Sequence, residues 1–449
     1  MYKLILATRY LLKRRVTYLA VLVVALSVFV VLVVMTVLQG MVEDFKRRTH
    51  DFVGDCVVAT ESLVGFPYYE EFLKVLEKSP LVQAASPLVS TYGLVGIAGQ
   101  EQAAGLRIIG VDPVQHSRVT RFGQALYFHR QQIEKAFEPI HDPNRSGCIV
   151  GIDLVLDRNA QGQYNYAWAP THSTYEITCF PLTAKGGLAK AGAGEVSTKR
   201  FGFSDTARTG LPREDDGVVY LRLEELQSLC GLAGPPLRAT AIHVAFRPGV
   251  DLDEGTHQVT QSWSDFSRNC AGRPQADLLR WVSVKDWKTY RRAVIAPLEK
   301  EELAMVVMFI LVAITTVFIV FVAFYMIVGH KSKDIGILKS VGASNAGIMG
   351  LFSGFAVLVG CLGAGLGLVG GWLFLLRINR LEDWLFEHFE FQLFDRTLIP
   401  VREIPHRIQI EVVVTVVSCA VLVSLLGALA PTLRAARTRP IETLQVNQL

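Results

Sequence analysis

Four stretches of this chain run for more than twenty residues without a charged side chain: Val16 to Leu38 (23 residues), Leu303 to Val328 (26), Gly347 to Leu376 (30) and Val412 to Leu433 (22). At about 1.5 Å per helical residue each is long enough to cross a hydrocarbon core of about 30 Å. Together they hold 101 of the 449 residues, and they account for an apolar excess that a water-facing chain does not carry: 51% hydrophobic residues, 19% charged, mean hydropathy +0.33. Both a purely soluble enzyme and a many-helix channel or secondary transporter are excluded. The first stretch follows Lys13, Arg14 and Arg15 as a signal peptide would, but it is longer than a usual h-region. No small-x-small cleavage site follows at Leu38-Gln39-Gly40-Met41, so it reads as a retained anchor.

Lysine and arginine close to the spans set the orientation. The N-terminal stub has Lys3, Arg9, Lys13, Arg14 and Arg15 with no acid, the loop between spans two and three has Lys331, Lys333 and Lys339 against Asp334, and the tail has Arg434, Arg437 and Arg439 against Glu442. These three belong in the cytoplasm. The long segment after span one and the loop between spans three and four, with seven acids against five arginines, lie outside. Lys46, Arg47 and Arg48 are an exception of the kind long translocated domains tolerate. The expected fold class is a membrane protein of four transmembrane α-helices, arranged one plus three, with a large mixed α+β domain inserted between helices 1 and 2. Its parts are an N-terminal segment 1–15, spans 16–38, 303–328, 347–376 and 412–433, and an external domain 40–302 ending in a stalk helix. A cytoplasmic loop 329–346, an external loop 377–411 and a cytoplasmic tail 434–449 complete it.

The external segment alternates strand and helix signals. Asp55–Thr60, Val89–Ala98 and Leu106–Val111 read as strands, Pro67–Lys78 as a helix, Gly217–Leu223 as a strand entering a helix Glu224–Cys230, and Ala241–Phe246 as a returning strand. Ala184–Lys199, rich in Gly, Ala and Lys, reads as a loop. Lys285–Glu302 has helical spacing and runs into span two, with Pro297 as a possible kink. Of seven cysteines, Cys361 and Cys419 lie in spans, whereas Cys56, Cys148, Cys179, Cys230 and Cys270 are scattered with no C-x-x-C pair. Most are expected as buried free thiols, with at most two disulfides in an oxidising compartment. The net charge of +4 resides mostly in membrane-flanking Lys and Arg and gives no case for nucleic acid.

Motifs for chemistry are missing: the sequence has no G-x-x-x-x-G-K-[ST], G-x-S-x-G or H-E-x-x-H, and its ten histidines have no ligand spacing. Gly365 to Gly370 fits G-x-G-x-x-G, but it lies inside an uncharged span rather than between a strand and a helix. The glycines there suit close helix packing, with Gly350/Gly354, Gly363/Gly367 and Gly367/Gly371 as small-xxx-small pairs, within the chain or between subunits. No catalytic, cofactor-binding or metal-binding residue is expected in this chain.

The cytoplasmic loop carries the most specific signal. Ile335, Leu338 and Val341 fall at i, i+3 and i+6, which gives a short amphipathic helix that Gly342 is placed to end; an interfacial helix lying on headgroups fits the same pattern. The stretch KSKDIGILKSVGAS (Lys331–Ser344) resembles the coupling helix of ABC permeases of the FtsX-like/MacB superfamily. The tail Ala430–Leu444 is similar to that superfamily's closing "PARRAAxxxPxxAL". Ile109–Arg118 and Asp216–Gln227 resemble segments of its lipoprotein-releasing (LolC/LolE) branch, whereas Cys148–Gly210 departs from the family's spacing and offers no recognisable carrier-binding hook.

The resemblance implies a non-catalytic subunit of a bacterial inner-membrane transporter, multi-pass, with both termini cytoplasmic and the large domain periplasmic. Implied partners are two cytoplasmic ABC ATPase subunits that use ATP and Mg, a second permease copy or paralogue, membrane lipids, a periplasmic lipoprotein carrier, and a lipoprotein or other amphipathic cargo. Lys333, Asp334, Ile335, Gly336, Ile337, Leu338, Lys339, Val341, Gly342 and Ala343 would then receive the motion of ATPase closure. The competing expectations are the same mechanical device with another cargo, such as a peptide, drug or glycolipid, or one that activates a cell-wall hydrolase. From another class comes an ATPase-independent membrane sensor.

Overall fold

The computed structural model describes residues 15–159, 161–189, 196–389, 391 and 404–437. The expected N-terminal basic stub before Arg15, the middle of the 184–199 loop, the acids Glu390, Asp395 and Glu403, and the tail beyond Arg437 lie outside the described residues. Helix α1 (Arg15–Val53) is followed by strands β1 (Cys56–Thr60) and β2 (Phe66–Pro67), helix α2 (Tyr69–Glu77), strands β3 (Val82–Ile97) and β4 (Ala103–Val111), and helix α3 (Pro113–Val119). Then come β5 (Gly147–Gly151), β6 (Thr174–Cys179), β7 (Ser197–Ala207), β8 (Val218–Arg222), α4 (Leu223–Leu229), β9 (Arg238–Ala239), β10 (Ala241–Phe246), α5 (Leu252–Asn269) and β11 (Val282–Asp286). Four helices close the chain: α6 (Arg292–His330), α7 (Ser332–Ser340), α8 (Asn345–Phe389) and α9 (Ile410–Arg437). The chain divides into two compact units, one built on the long helices and one spanning Asp44–Ala296.

In the helical unit α1, α6, α8 and α9 are each long and apolar enough to cross a membrane. The helices outrun their uncharged stretches: α1 continues fifteen residues past Leu38 to Val53, and α8 thirteen past Leu376 to Phe389. Once a helix is nucleated, charged residues propagate it in water at little cost. Pro297 and Pro431 both sit inside helices, near the start of α6 and the end of α9, and each removes one intrahelical N–H bond.

The Asp44–Ala296 unit is built around a nine-stranded sheet ordered β11-β1-β10-β3-β4-β8-β5-β7-β6, and β6 also pairs with β3. Six strands from β3 to β6 therefore form a closed ring, with β10, β1 and β11 as an extension. Long β3 makes this possible by serving both parts. Its Val82–Leu88 half pairs with β10, Leu88–Gly96 with β4, and Leu94–Ile97 with β6. In the doubly covered middle, Ser86 to Val89 are all buried; farther along, Thr91, Gly93 and Val95 face inward while Tyr92 and Leu94 are exposed. A Cβ at Gly93 would lie 2.6 Å from both Ile108 Cδ1 and the Thr178 carbonyl, so the crossing of β3, β4 and β6 needs glycine there. Inside the ring pack Ile108, Ile177, Phe201, Phe203 and Leu221 with Leu223, Leu226 and Leu229 of α4. Under the extension, Phe72 of α2 meets Trp263 of α5 edge-on at 4.8 Å, and Phe66 meets the same indole at 5.4 Å.

Buried polar groups fix the loops. Asp205 accepts hydrogen bonds from the amides of Tyr127, Phe128 and His129 at 3.0, 3.0 and 2.7 Å. Glu214 takes Arg107 at 3.2 Å and Arg291 at 2.9 Å, and the two guanidinium charges hold its carboxyl below its ordinary value against the opposing effect of burial. Asp215, bound by Thr209 and Gly210, is pushed up to about 6 by burial.

Several local expectations change. The helix expected from Pro67 begins at Tyr69, because Phe66–Pro67 pair with Arg238–Ala239 as a strand. Ser197–Lys199, expected as loop, open β7 by pairing with Cys179–Ile177. Lys285 and Asp286 are strand rather than stalk helix, because β1 offers an open edge that Val282–Asp286 fills; the helix starts at Arg292.

The imidazoles of His116 and His243 lie 5.7 Å apart in the interior, near Ser86, Phe122 and Tyr290. Burial brings His116 down to about 4, and burial also lowers His243, with His116, Arg291 and Arg107 adding repulsion. A base depressed on folding contributes stability that is complete above its unfolded value near 6.5 and is lost as pH falls toward 4. At about 1.4 kcal/mol per pH unit, His116 accounts for about 3 kcal/mol across that window. Urea unfolding of the full chain in detergent, followed by tryptophan emission, should therefore show a smaller loss of stability between about pH 7 and pH 5 in His116→Leu than in the parent, by about 2 kcal/mol.

Candidate functional site

Glycine makes the contacts between the membrane helices. Cβ atoms added at Gly363, Gly367 and Gly371 of α8 would lie 2.7, 2.8 and 2.8 Å from Val24, Val28 and Leu32 of α1. These residues form a seam in which each glycine admits one branched side chain. Gly350 and Gly354, the remaining pair expected from spacing, have nothing within 4 Å of a Cβ, so they pack against no described helix of this chain. Two glycines not singled out from the sequence do pack: Gly360 of α8 against Ser424 and Val421 of α9, and Gly427 of α9 against Val320 of α6. Gly427 has Val423 and Pro431 at four-residue spacing and gives no pattern signal, whereas Gly360 is flanked at that spacing by Ala356 and Ala364 rather than glycine.

Above this seam α1, α6 and α9 stay apart and leave an apolar recess of about 290 Å³. Val24, Val28 and Met35 face it from α1, Phe309, Ile310 and Ala313 from α6, and Val416, Ala420 and Val423 from α9. Two of its three hydroxyls are spent internally: Thr316 donates to the Val312 carbonyl at 2.8 Å, which leaves Ser27 to donate to Thr316, also at 2.8 Å. Chemically the recess suits hydrocarbon. Span α6 is the least covered of the four, 11% buried in its most apolar window, and presents Leu303, Ile310, Leu311, Ile314 and Phe318 outward.

Helix α7 joins α6 to α8. Ile335 and Gly336 are buried and Ile335 joins the core with Ala435 and Ile348, while Lys339 Nζ donates to the Ala436 carbonyl of α9 at 2.7 Å. Lys331 pairs with Asp334, and Arg434 donates to Tyr325 Oη at 2.7 Å. The helix stops where Gly342 takes φ +100° and its amide and that of Ala343 return to the carbonyls of Lys339 and Leu338, both at 3.0 Å. The expected apolar stripe changes in one respect. Ile335 is buried and Leu338 half-buried, but Val341 lies past the last helical residue and is 83% exposed. Ile337 is exposed as well, so two apolar side chains, Ile337 and Val341, face away from the chain's own core. Lys333 is exposed beside them. Among the described residues no group of three or more His, Cys, Asp or Glu could hold a metal.

Residues 306–440 match the family described as FtsX-like permease C-terminal. This part of the chain is an FtsX-like permease domain. Over 95% of this chain and 92% of theirs, the sequence is 23% identical to the lipoprotein-releasing system transmembrane protein LolC of Xylella fastidiosa strain 9a5c; the corresponding LolC of Neisseria meningitidis serogroup B is 22% identical over 94% of this chain. Among solved structures, the periplasmic region of MacB from Actinobacillus actinomycetemcomitans aligns over 57% of this chain and 97% of its own at 10% identity and a TM-score of 0.30. The FtsX-like match begins within α6 and covers α7, α8 and all described residues of α9.

Valine at Gly363 or Gly367 forces α1 away from α8 and should cost about 1 to 3 kcal/mol. Thermal unfolding in detergent should fall for Gly363→Val and Gly367→Val and stay level for Gly350→Ala and Gly354→Ala.

Proposed function

We propose that this chain is the permease subunit of an ATP-driven ABC transporter that extracts lipoproteins from the bacterial inner membrane for transfer to the outer membrane. The observation that carries the reading is the likeness, across 95% of the chain, to proteins named as lipoprotein-releasing transmembrane components. The geometry supports it at two places. Exposed Ile337 and Val341 on and after α7 form an apolar contact for a cytoplasmic ATPase, while Ile335 and Lys339 tie the same helix to the core and to α9. The recess between α1, α6 and α9 offers hydrocarbon lining without a free hydroxyl from the Ser27–Thr316 pair, the environment an acyl chain needs.

In this reading two ATPase subunits close on ATP and Mg, α7 is pushed, and α1 and α6 carry the movement, since each contains residues of both units. A second permease copy or paralogue covers the exposed face of α6, and a soluble carrier receives the cargo from the large domain on the periplasmic side. Both termini then lie in the cytoplasm. The chain does no covalent chemistry; it converts a partner's hydrolysis into displacement.

Two measurements test the reading. Ile337→Glu and Val341→Glu place charges on exposed positions, leave the fold intact and should abolish co-purification with the ATPase; undiminished association removes the coupling assignment. Depletion of the chain should leave outer-membrane lipoproteins in the inner-membrane fraction, and normal sorting would remove the cargo assignment.

A further inference from the structure

Five cysteines lie in the Asp44–Ala296 unit and all are buried. Two of them meet. Cys179 ends β6, Cys230 follows the last residue of α4, and both thiols lie in one buried cluster, close enough that each perturbs the other's ionisation. Both sulfurs lie against one stretch of β3: Cys230 is beside the Thr91 side chain, and Cys179 Sγ is 3.4 Å from the Cβ position of Gly93, the next residue on that inward face. The backbones are held together independently of the sulfurs. The Leu182 amide donates to the Cys230 carbonyl at 3.0 Å, and the Arg238 guanidinium donates to the carbonyls of Leu182 at 3.1 Å and Gly231 at 2.7 Å. The other three thiols have different surroundings, as with Cys56 beside Thr256 and Cys270 near Arg273.

We propose that Cys179 and Cys230 form an intramolecular disulfide in the mature protein, tying the end of β6 to the end of α4 across the inside of the strand ring. A disulfide needs two backbones held near each other with their side chains converging; here three hydrogen bonds tie Leu182, three residues past Cys179, to Cys230 and Gly231, and both thiols fall in one buried cluster. The step is a thiol–disulfide exchange with an oxidising protein disulfide. One thiolate attacks the oxidant's sulfur to give a mixed disulfide and the second thiolate displaces the oxidant as its dithiol; two S–H bonds are lost, one S–S bond forms, and two electrons pass to the oxidant. Because both thiols are buried in the finished ring, the exchange belongs to folding, before β6 closes onto β3. The inference rests on the proposed placement of this unit outside the cytoplasm, where such oxidants act.

The test uses the full chain in the inner membrane of a Gram-negative host. Thiols are trapped with N-ethylmaleimide in denaturant, the protein is digested without reductant, and peptides are identified by mass. The expected result is a linked pair of peptides containing Cys179 and Cys230, with Cys56, Cys148 and Cys270 alkylated, and release of the pair on reduction. In Cys179→Ser the Cys230 peptide should appear alkylated, and in Cys230→Ser the Cys179 peptide. Gln100, exposed in the turn between β3 and β4, reports sidedness: Gln100→Cys should react with a membrane-impermeant maleimide on intact spheroplasts. Alkylated Cys179 and Cys230 together with outside labelling at position 100 would overturn the disulfide and leave the placement standing. Alkylated thiols with no outside labelling would overturn both.

Discussion

Water does not press helices together inside a bilayer, so the arrangement of the four spans depends on how closely their backbones approach. Gly363, Gly367 and Gly371 give that approach on one face of α8, where Val24, Val28 and Leu32 of α1 enter, and Gly360 gives it on another, against α9. Gly427 then brings α9 onto α6. Three glycine contacts thus order the helices around α8 and α9, while a hydrogen bond between Ser27 and Thr316 links α1 to α6. The recess follows from that asymmetry. Where glycine is present the helices close; where valine, phenylalanine and isoleucine face one another they remain apart and leave hydrocarbon-sized space.

In the proposed reading, the same division separates a fixed part from a driven one. Helix α7 is held at Ile335 by the core and at Lys339 by α9, and Ile337 and Val341 stay exposed on and just after it. In that reading, a push on those two side chains would reach the helical core and α9 through these ties. In the Asp44–Ala296 unit, the closed ring of β3, β4, β8, β5, β7 and β6 leaves few free strand edges, and buried ion pairs such as Glu214 with Arg107 and Arg291 fix its loops. A unit of this kind is suited to being displaced as a body.

The sequence made some of this legible and hid the rest for physical reasons. Lipid burial leaves a compositional mark, so the four spans are readable from uncharged length alone, as is the mixed domain between the first two. Ala241–Phe246 is found residue for residue because a run buried on both faces has no competing periodicity. Lys285 and Asp286 fit a helix locally and become strand because β1 has an edge that Val282–Asp286 fills, a fact about another part of the chain. Glycine spacing indicates that a span packs closely without naming its neighbour. Hence Gly363, Gly367 and Gly371 meet α1, Gly350 and Gly354 meet no described helix, and isolated Gly360 and Gly427 are found only in three dimensions. Val341 shows the same limit: the i, i+3, i+6 pattern continues through it, but the helix ends one residue earlier.

The central claim is that partner-driven motion of these helices empties an apolar site between α1, α6 and α9. It is tested most directly by reconstituting the chain with its ATPase in lipid nanodiscs carrying a fluorescent triacylated peptide and following the peptide's departure to a soluble acceptor. The account predicts departure that requires ATP and is lost in Ala420→Trp, which fills the recess, with ATPase association unchanged. ATP-dependent departure at the parental rate from the filled variant would contradict it.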